Sequence, residues 1–87
     1  MYSVIYTEAA RKDLKKLPHE AAQRVYNAIK QIKEDPYSHV KKLKASPTTP
    51  FYSLRVGEYR VVMTIENQQL VIFVIEIGHR SKIYRKH

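Results

Sequence analysis

One short stretch, Leu54-Arg55-Val56-Gly57-Glu58-Tyr59-Arg60, constrains this chain more than any other, because two alternating apolar runs meet there at a single glycine. If Gly57-Glu58 is a two-residue loop, with glycine first as a type II′ turn prefers, Val56 faces Tyr59, Arg55 faces Arg60 and Leu54 faces Val61. Two guanidinium groups then sit directly opposite each other. Such a like-charge pair costs roughly 0.2–1 kcal/mol on the cross-strand scale unless an anion lies over it. The spacing therefore predicts a ligand that carries phosphates.

The chain's 87 residues are expected to form one domain, residues 1–87, with a modest core. A hydrophobic content of 44% with 28% charged residues and no low-complexity tract predicts a folded protein. The absence of cysteine rules out a disulfide framework and a thiolate metal site and suits a reducing cytoplasm. Met1-Tyr2-Ser3-Val4-Ile5-Tyr6 has neither a basic leader nor a long apolar run, and no segment reaches membrane-spanning length. A cytoplasmic protein without a membrane role is expected. Sixteen Lys and Arg against eight Asp and Glu give a net charge of +8, which points to polyanions, nucleic acid or ribosome ahead of an anionic membrane.

Along the chain, Tyr2 to Tyr6 alternates as a first strand and Thr7 can cap a helix that carries Ala10, Leu14 and Leu17. A second helix opens at Pro18 and carries Ala22, Val25, Ile29 and Ile32 on one stripe, ending at Asp35-Pro36. The short connection implies an antiparallel helical hairpin. Residues 37–50 lose periodicity, and Lys41, Lys42 and Lys44 around Leu43 read as a surface loop, either a solvated connector or an arm that touches phosphates. Three strands follow, Phe51–Val56, Tyr59–Ile65 and Leu70–Ile77, with short connections at Gly57-Glu58 and Asn67-Gln68. Leu70 to Ile75 is apolar on both faces, so this strand is central, with the first strand on its far side. The expected fold class is α+β, of order β-α-α-β-β-β, a two-helix hairpin packed on a four-stranded mainly antiparallel sheet with a short C-terminal helical turn.

A two-residue loop at Asn67-Gln68 places Arg60 opposite Ile75 and puts Ile77 and His79 on the face of Arg55 and Arg60. Gly78 is a candidate bulge, so parity leaves open whether His79 or Arg80 points inward. No paired carboxylates, phosphate loop or histidine spacing suited to a metal is visible, and no cofactor is expected. A guanidinium and imidazole cluster near a phenol remains. That set suits RNA phosphodiester chemistry: arginines stabilise the charge of a pentacoordinate phosphorane, and His or Tyr moves a proton. Tyr59 is expected to pack against Val56, the helix lysines to be solvated, and His19, His39 and His87 to be surface residues.

At these residues the chain resembles the RelE/ParE toxin superfamily, through Leu14-Lys15-Lys16-Leu17, Lys42-Leu43-Lys44, Phe51 to Val61, and Val74 to Arg80 with Ile83-Tyr84. The likeness spans nearly the whole chain, and "LRVGEYRV" followed by "IGHRSKIY" carries most of it. It implies a toxin of a type II toxin–antitoxin pair with a RelE-like fold. In the RelE branch the toxin enters the ribosomal A site and cuts mRNA through 2′-hydroxyl attack, without a metal; the ParE branch instead poisons DNA gyrase.

The positions implied to be catalytic are Arg55, Arg60, His79, Arg80 and Tyr84. Arg60 and Arg80 would hold the scissile phosphate, Tyr84 would stack on a base or assist proton transfer, and Arg55 stands where the family commonly has lysine. Ser53 replaces a second catalytic lysine, and His79 would compensate. Lys41, Lys42, Lys44, Ser53, Lys82 and Arg85 are the expected RNA- and ribosome-binding residues. The implied partners are a cognate antitoxin protein, the ribosome and mRNA. A gyrase inhibitor and a catalytically weak RNA- or ribosome-binding module are the alternatives.

Overall fold

Thr7 marks the change from strand to helix. In the computed structural model, which describes residues 1–43 and 50–82, β1 (Ser3–Tyr6) ends one residue before it and α1 (Glu8–Lys16) begins one residue after. The Thr7 hydroxyl oxygen accepts the Ala10 N–H at 3.1 Å, so one of the helix's orphan donors is satisfied by the predicted cap. Pro18 then supplies the fixed φ that starts α2 (His19–Gln31), and the helices are separated by only Leu17 and Pro18. A 3₁₀ turn over Pro36–Ser38 follows.

The remaining elements are β2 (Lys41–Lys42), β3 (Tyr52–Val56), β4 (Tyr59–Glu66) and β5 (Val71–His79), in a sheet of order β1-β5-β4-β3-β2. β1 runs parallel to β5, and the other pairings are antiparallel. The doubly apolar last strand is central, with the first strand beside it, as expected. The strand count is corrected from four to five, because Lys41 pairs with Ser53 and Lys42 with Tyr52. Two residues are too few to show a period, and lysines suit the outer edge of a sheet. Lys44 and the predicted C-terminal helical turn, with Tyr84 and Arg85, lie outside the described residues.

The second predicted connection also needs correction. Glu66 pairs with Val71, so the loop is Asn67 to Leu70, four residues and not two, with Leu70 at φ 56. The register then shifts between Val62 and Met63: Met63 faces Val74 while Val62 faces Glu76, leaving Ile75 as the extra residue of a bulge. β1 stops opposite Val74, so β5 beyond that point would present unpaired backbone at an edge. α1 closes it. The Thr7 hydroxyl donates to the Ile75 carbonyl at 3.3 Å, and the Asp13 carboxylate accepts the Ile77 N–H at 3.1 Å.

The core forms where the helices meet the sheet: Ala10, Val25 and Ile29 pack with Leu54, Val61, Met63, Val74 and Ile77. Burying each of the larger aliphatic side chains contributes roughly 1.5–3 kcal/mol. Alternation sends the intervening residues, Ser53, Arg55, Arg60 and Val62, to the other face of the sheet. No helix among the described residues is long and apolar enough to cross a membrane.

Candidate functional site

The hairpin forms in the predicted register: Val56 faces Tyr59, Arg55 faces Arg60 and Leu54 faces Val61. Gly57 has φ 60, and Leu70 is the only non-glycine with positive φ among the described residues, so Glu58 keeps a negative one. A positive first and negative second position is the type II′ pattern, which only glycine enters freely at the first position. This turn sets two guanidinium groups side by side on the face that the helices leave uncovered.

There the segment from the 3₁₀ turn to β2 forms the opposite wall of a cleft of about 490 Å³, lined by Ser38, His39, Val40, Lys41, Leu43, Ser53, Arg55 and Arg60. Arg55 is exposed, whereas Arg60 is partly buried and its Nη1 has no hydrogen-bond partner among the described residues. A buried donor left unpaired costs about 1–3 kcal/mol, and more when charged. Ser53, at 6% exposure, forms the floor beside Lys41, its partner across β2 and β3. Lys42 alternates to the opposite side of the strand.

The bulge changes which C-terminal residue joins this site. Arg60 faces Gly78, not Ile75, so the expectation that His79 shares the face of Arg55 and Arg60 is corrected. His79 faces Tyr59 instead, the rings edge-to-face with centroids 5.9 Å apart. Its Nδ1 accepts the Ser81 N–H at 3.2 Å and lies 2.8 Å from the Ser81 hydroxyl, so the ring proton of the neutral form belongs on Nε2. The Arg80 N–H donates to the Glu58 carbonyl at 2.8 Å, which continues the β4–β5 register by one step and places exposed Arg80 on the side of Gly78 and Arg60. Lys82 is exposed in the turn that follows.

Among the described residues a Cβ added at Gly78, which faces Arg60, would meet nothing within 4 Å. The arrangement offers fixed positive charge and hydrogen-bond donors to a phosphate, with guanidinium planes suited to bidentate contact. Sequence reasoning missed His39, which lines this cleft from the C-cap of the 3₁₀ turn. The Val40-Lys41-Lys42-Leu43 pattern hints at an extended piece, but only its pairing with β3 reveals which wall His39 joins. Among the described residues no group of three or more His, Cys, Asp or Glu could hold a metal ion.

Comparison with known proteins agrees with this geometry. A model of the family described as the ParE toxin of the type II toxin–antitoxin system parDE matches residues 4–84. Toxin RelG of Mycobacterium tuberculosis is 31% identical over 86 residues, covering 98% of each chain. The mRNA interferase toxin RelE of Escherichia coli is 28% identical over 85 residues, covering 95% of this chain and 90% of its own. Among solved structures, the M. tuberculosis RelBE2 toxin–antitoxin complex contains a chain that superposes with a TM-score of 0.80 at 29% identity, covering 91% of this chain and 98% of that one. The isolated E. coli RelE toxin superposes with a TM-score of 0.71 at 27% identity, covering 97% and 92%. With its family match across nearly the whole length and its two helices packed on a five-stranded sheet, this chain belongs to the RelE/ParE superfamily of type II toxin–antitoxin toxins.

Proposed function

We propose that this toxin is a ribosome-dependent mRNA endoribonuclease that cuts the A-site codon by 2′-hydroxyl attack on the scissile phosphate. The observation that carries the reading is the buried Arg60 Nη1, without a hydrogen-bond partner among the described residues and on the residue directly across from Arg55 in a cationic cleft. Relatives at 28% identity named mRNA interferases add support. The phosphate sits between Arg55 and Arg60, whose charge and donors stabilise the extra negative charge of the phosphorane, and Arg80 closes on it from the end of β5. Tyr84 stacks on a base, and His79 shapes the rim through Tyr59. Lys41 and Ser53 contact the RNA backbone in the cleft, while Lys42, Lys44, Lys82 and Arg85 dock the toxin on ribosomal RNA. No metal is needed in this scheme, because the guanidinium groups supply the charge. Its partners are ribosome, mRNA and a cognate antitoxin, and its site of action is the cytoplasm. The toxin–antitoxin complexes solved for M. tuberculosis and E. coli relatives support an antitoxin partner.

The test is to add the purified, antitoxin-free protein to ribosomes stalled on a defined mRNA and to map new 3′ ends. Cleavage at the A-site codon, absent on free mRNA and unaffected by EDTA, is the expected result. The matching family model is that of ParE, which favours gyrase inhibition as the second reading. DNA damage signalling on expression, with intact mRNA, would establish that reading in place of the first.

A further inference from the structure

We infer that His39 is the group that takes the proton from the attacking 2′-hydroxyl, an inference that rests on the RNA-cleavage reading above. Of the side chains that line the cleft, Val40 and Leu43 are apolar, Ser38 and Ser53 carry hydroxyls, and Lys41, Arg55 and Arg60 are cations. A guanidinium is not deprotonated in proteins and an ammonium has no lone pair to offer, so neither can accept a proton in these forms. The imidazole of His39 can, because its neutral form carries a ring nitrogen with a free lone pair. Where the family resemblance calls for a basic side chain this protein has Ser53, whose hydroxyl is a poor base. His79, the substitute that the sequence suggests, is turned toward Tyr59 on the other face.

His39 is also held in place. Its N–H donates to the Pro36 carbonyl at 3.2 Å, which closes the 3₁₀ turn, and the Ser38 hydroxyl beside it donates to the Asp35 carboxylate. The backbone that carries this exposed side chain is thus anchored by a short, proline-started turn at the cleft wall. The charged groups sharing the cleft with it are Lys41 from β2, Arg55 from β3 and Arg60 from β4. Glu76 on β5 lies further along the same sheet face, opposite Val62. Asp35, engaged by Ser38, stands behind the turn.

In the reaction the 2′-oxygen gives its proton to His39 and its electron pair to phosphorus. The bond from phosphorus to the 5′-oxygen breaks, and the departing oxygen takes a proton from solvent while His39 returns its own to solvent. The products are a 2′,3′-cyclic phosphate and a 5′-hydroxyl end, and no other reactant is consumed.

The experiment compares wild type, His39→Gln and His39→Ala in single-turnover cleavage of ribosome-bound mRNA across the pH range in which imidazole titrates. Removing a general base costs about 10²–10⁴-fold. Both variants should fall by that factor with unchanged thermal midpoints, the wild-type rate should climb with pH over the imidazole range while the variants lose that limb, and added imidazole should restore part of the His39→Ala rate. His39→Gln keeps polarity and size, so it carries the test if His39→Ala folds poorly. Variants that retain wild-type rates and the same pH limb would overturn the role of His39 while leaving RNA cleavage standing. No cleavage by the wild type would overturn both.

Discussion

The two faces of the sheet solve opposite problems. On the helix-covered face, Val61, Met63 and Ile77 interlock with Ala10, Val25 and Ile29, all at most 3% exposed, and the backbone that β1 leaves unpaired is taken up by Thr7 and Asp13. On the cleft face, one residue out of step along the same strands, two arginines face each other and, among the described residues, a buried Nη1 is unpartnered and Gly78 leaves open space. The strands are shared, so the contrast arises from side-chain parity alone. Stability is concentrated on one face, and the features that cost stability are concentrated on the other. Such costs persist where a ligand repays them.

A pair of substitutions tests whether the two faces are separable. Ile29→Ala removes a fully buried side chain and should lower stability by about 4 kcal/mol, near the upper part of the range for such truncations, as read from a denaturant midpoint. The rate per folded molecule should stay at the wild-type level. Arg60→Ala should do the reverse, lowering ribosome-dependent cleavage about 10²–10³-fold, the effect of deleting one charge-stabilising donor. Its thermal midpoint should stay level or rise, since a buried donor without a partner is removed. A midpoint drop as large as that of Ile29→Ala would mean that Arg60 is a structural residue and would end the comparison.

The covered face should also show itself in alkali. Tyr6 packs against the core and stacks on Tyr26, centroids 6.3 Å apart, and burial first, then the neighbouring Tyr26, pushes its phenol from 10.0 up to about 12. The folded state therefore keeps a proton that the unfolded chain has lost. This contribution is fully present below pH 10 and declines as pH rises toward 12. For a half-buried group the loss should amount to about 1–2 kcal/mol after solvent screening. Tyr6→Phe keeps the packing and should flatten that part of the pH–stability curve, measured by urea unfolding; an unchanged slope would assign the alkaline loss to another group.

Much of this contrast is legible in the sequence. The Gly57 hairpin, its register and the facing arginines follow from turn chemistry and a period of two, which are local. The Thr7 cap and the proline start of α2 are local as well. What could not be read depends on distant partners. The bulge at Ile75 is stabilised by Thr7 and Asp13, more than sixty positions away in sequence, and one extra residue reverses the parity of every side chain beyond it. His79 and Arg80 exchange roles for that reason. The four-residue loop ending at Leu70 shifts the pairing further, and β2 is too short to carry a pattern, so the place of His39 emerges only from Lys41 meeting Ser53.

The smallest expected effect is the most direct probe of the cleft face. Replacing Arg55 by Thr, a residue at home in strands, removes one of two like charges facing each other and should raise the denaturant midpoint by about 0.2–1 kcal/mol. Raising salt from about 0.1 M to 1 M shortens the screening length from ~10 Å to ~3 Å, so the gain should shrink at high salt. Inorganic phosphate adds a second axis. Bound between the guanidinium groups it would stabilise the wild type by mass action, more strongly than chloride at equal ionic strength, and this increment should vanish in both Arg55→Thr and Arg60→Ala. A wild type indifferent to phosphate would mean that the arginine pair repels without recruiting an anion, and the cleft would then lose its claim as the place where the RNA backbone is held.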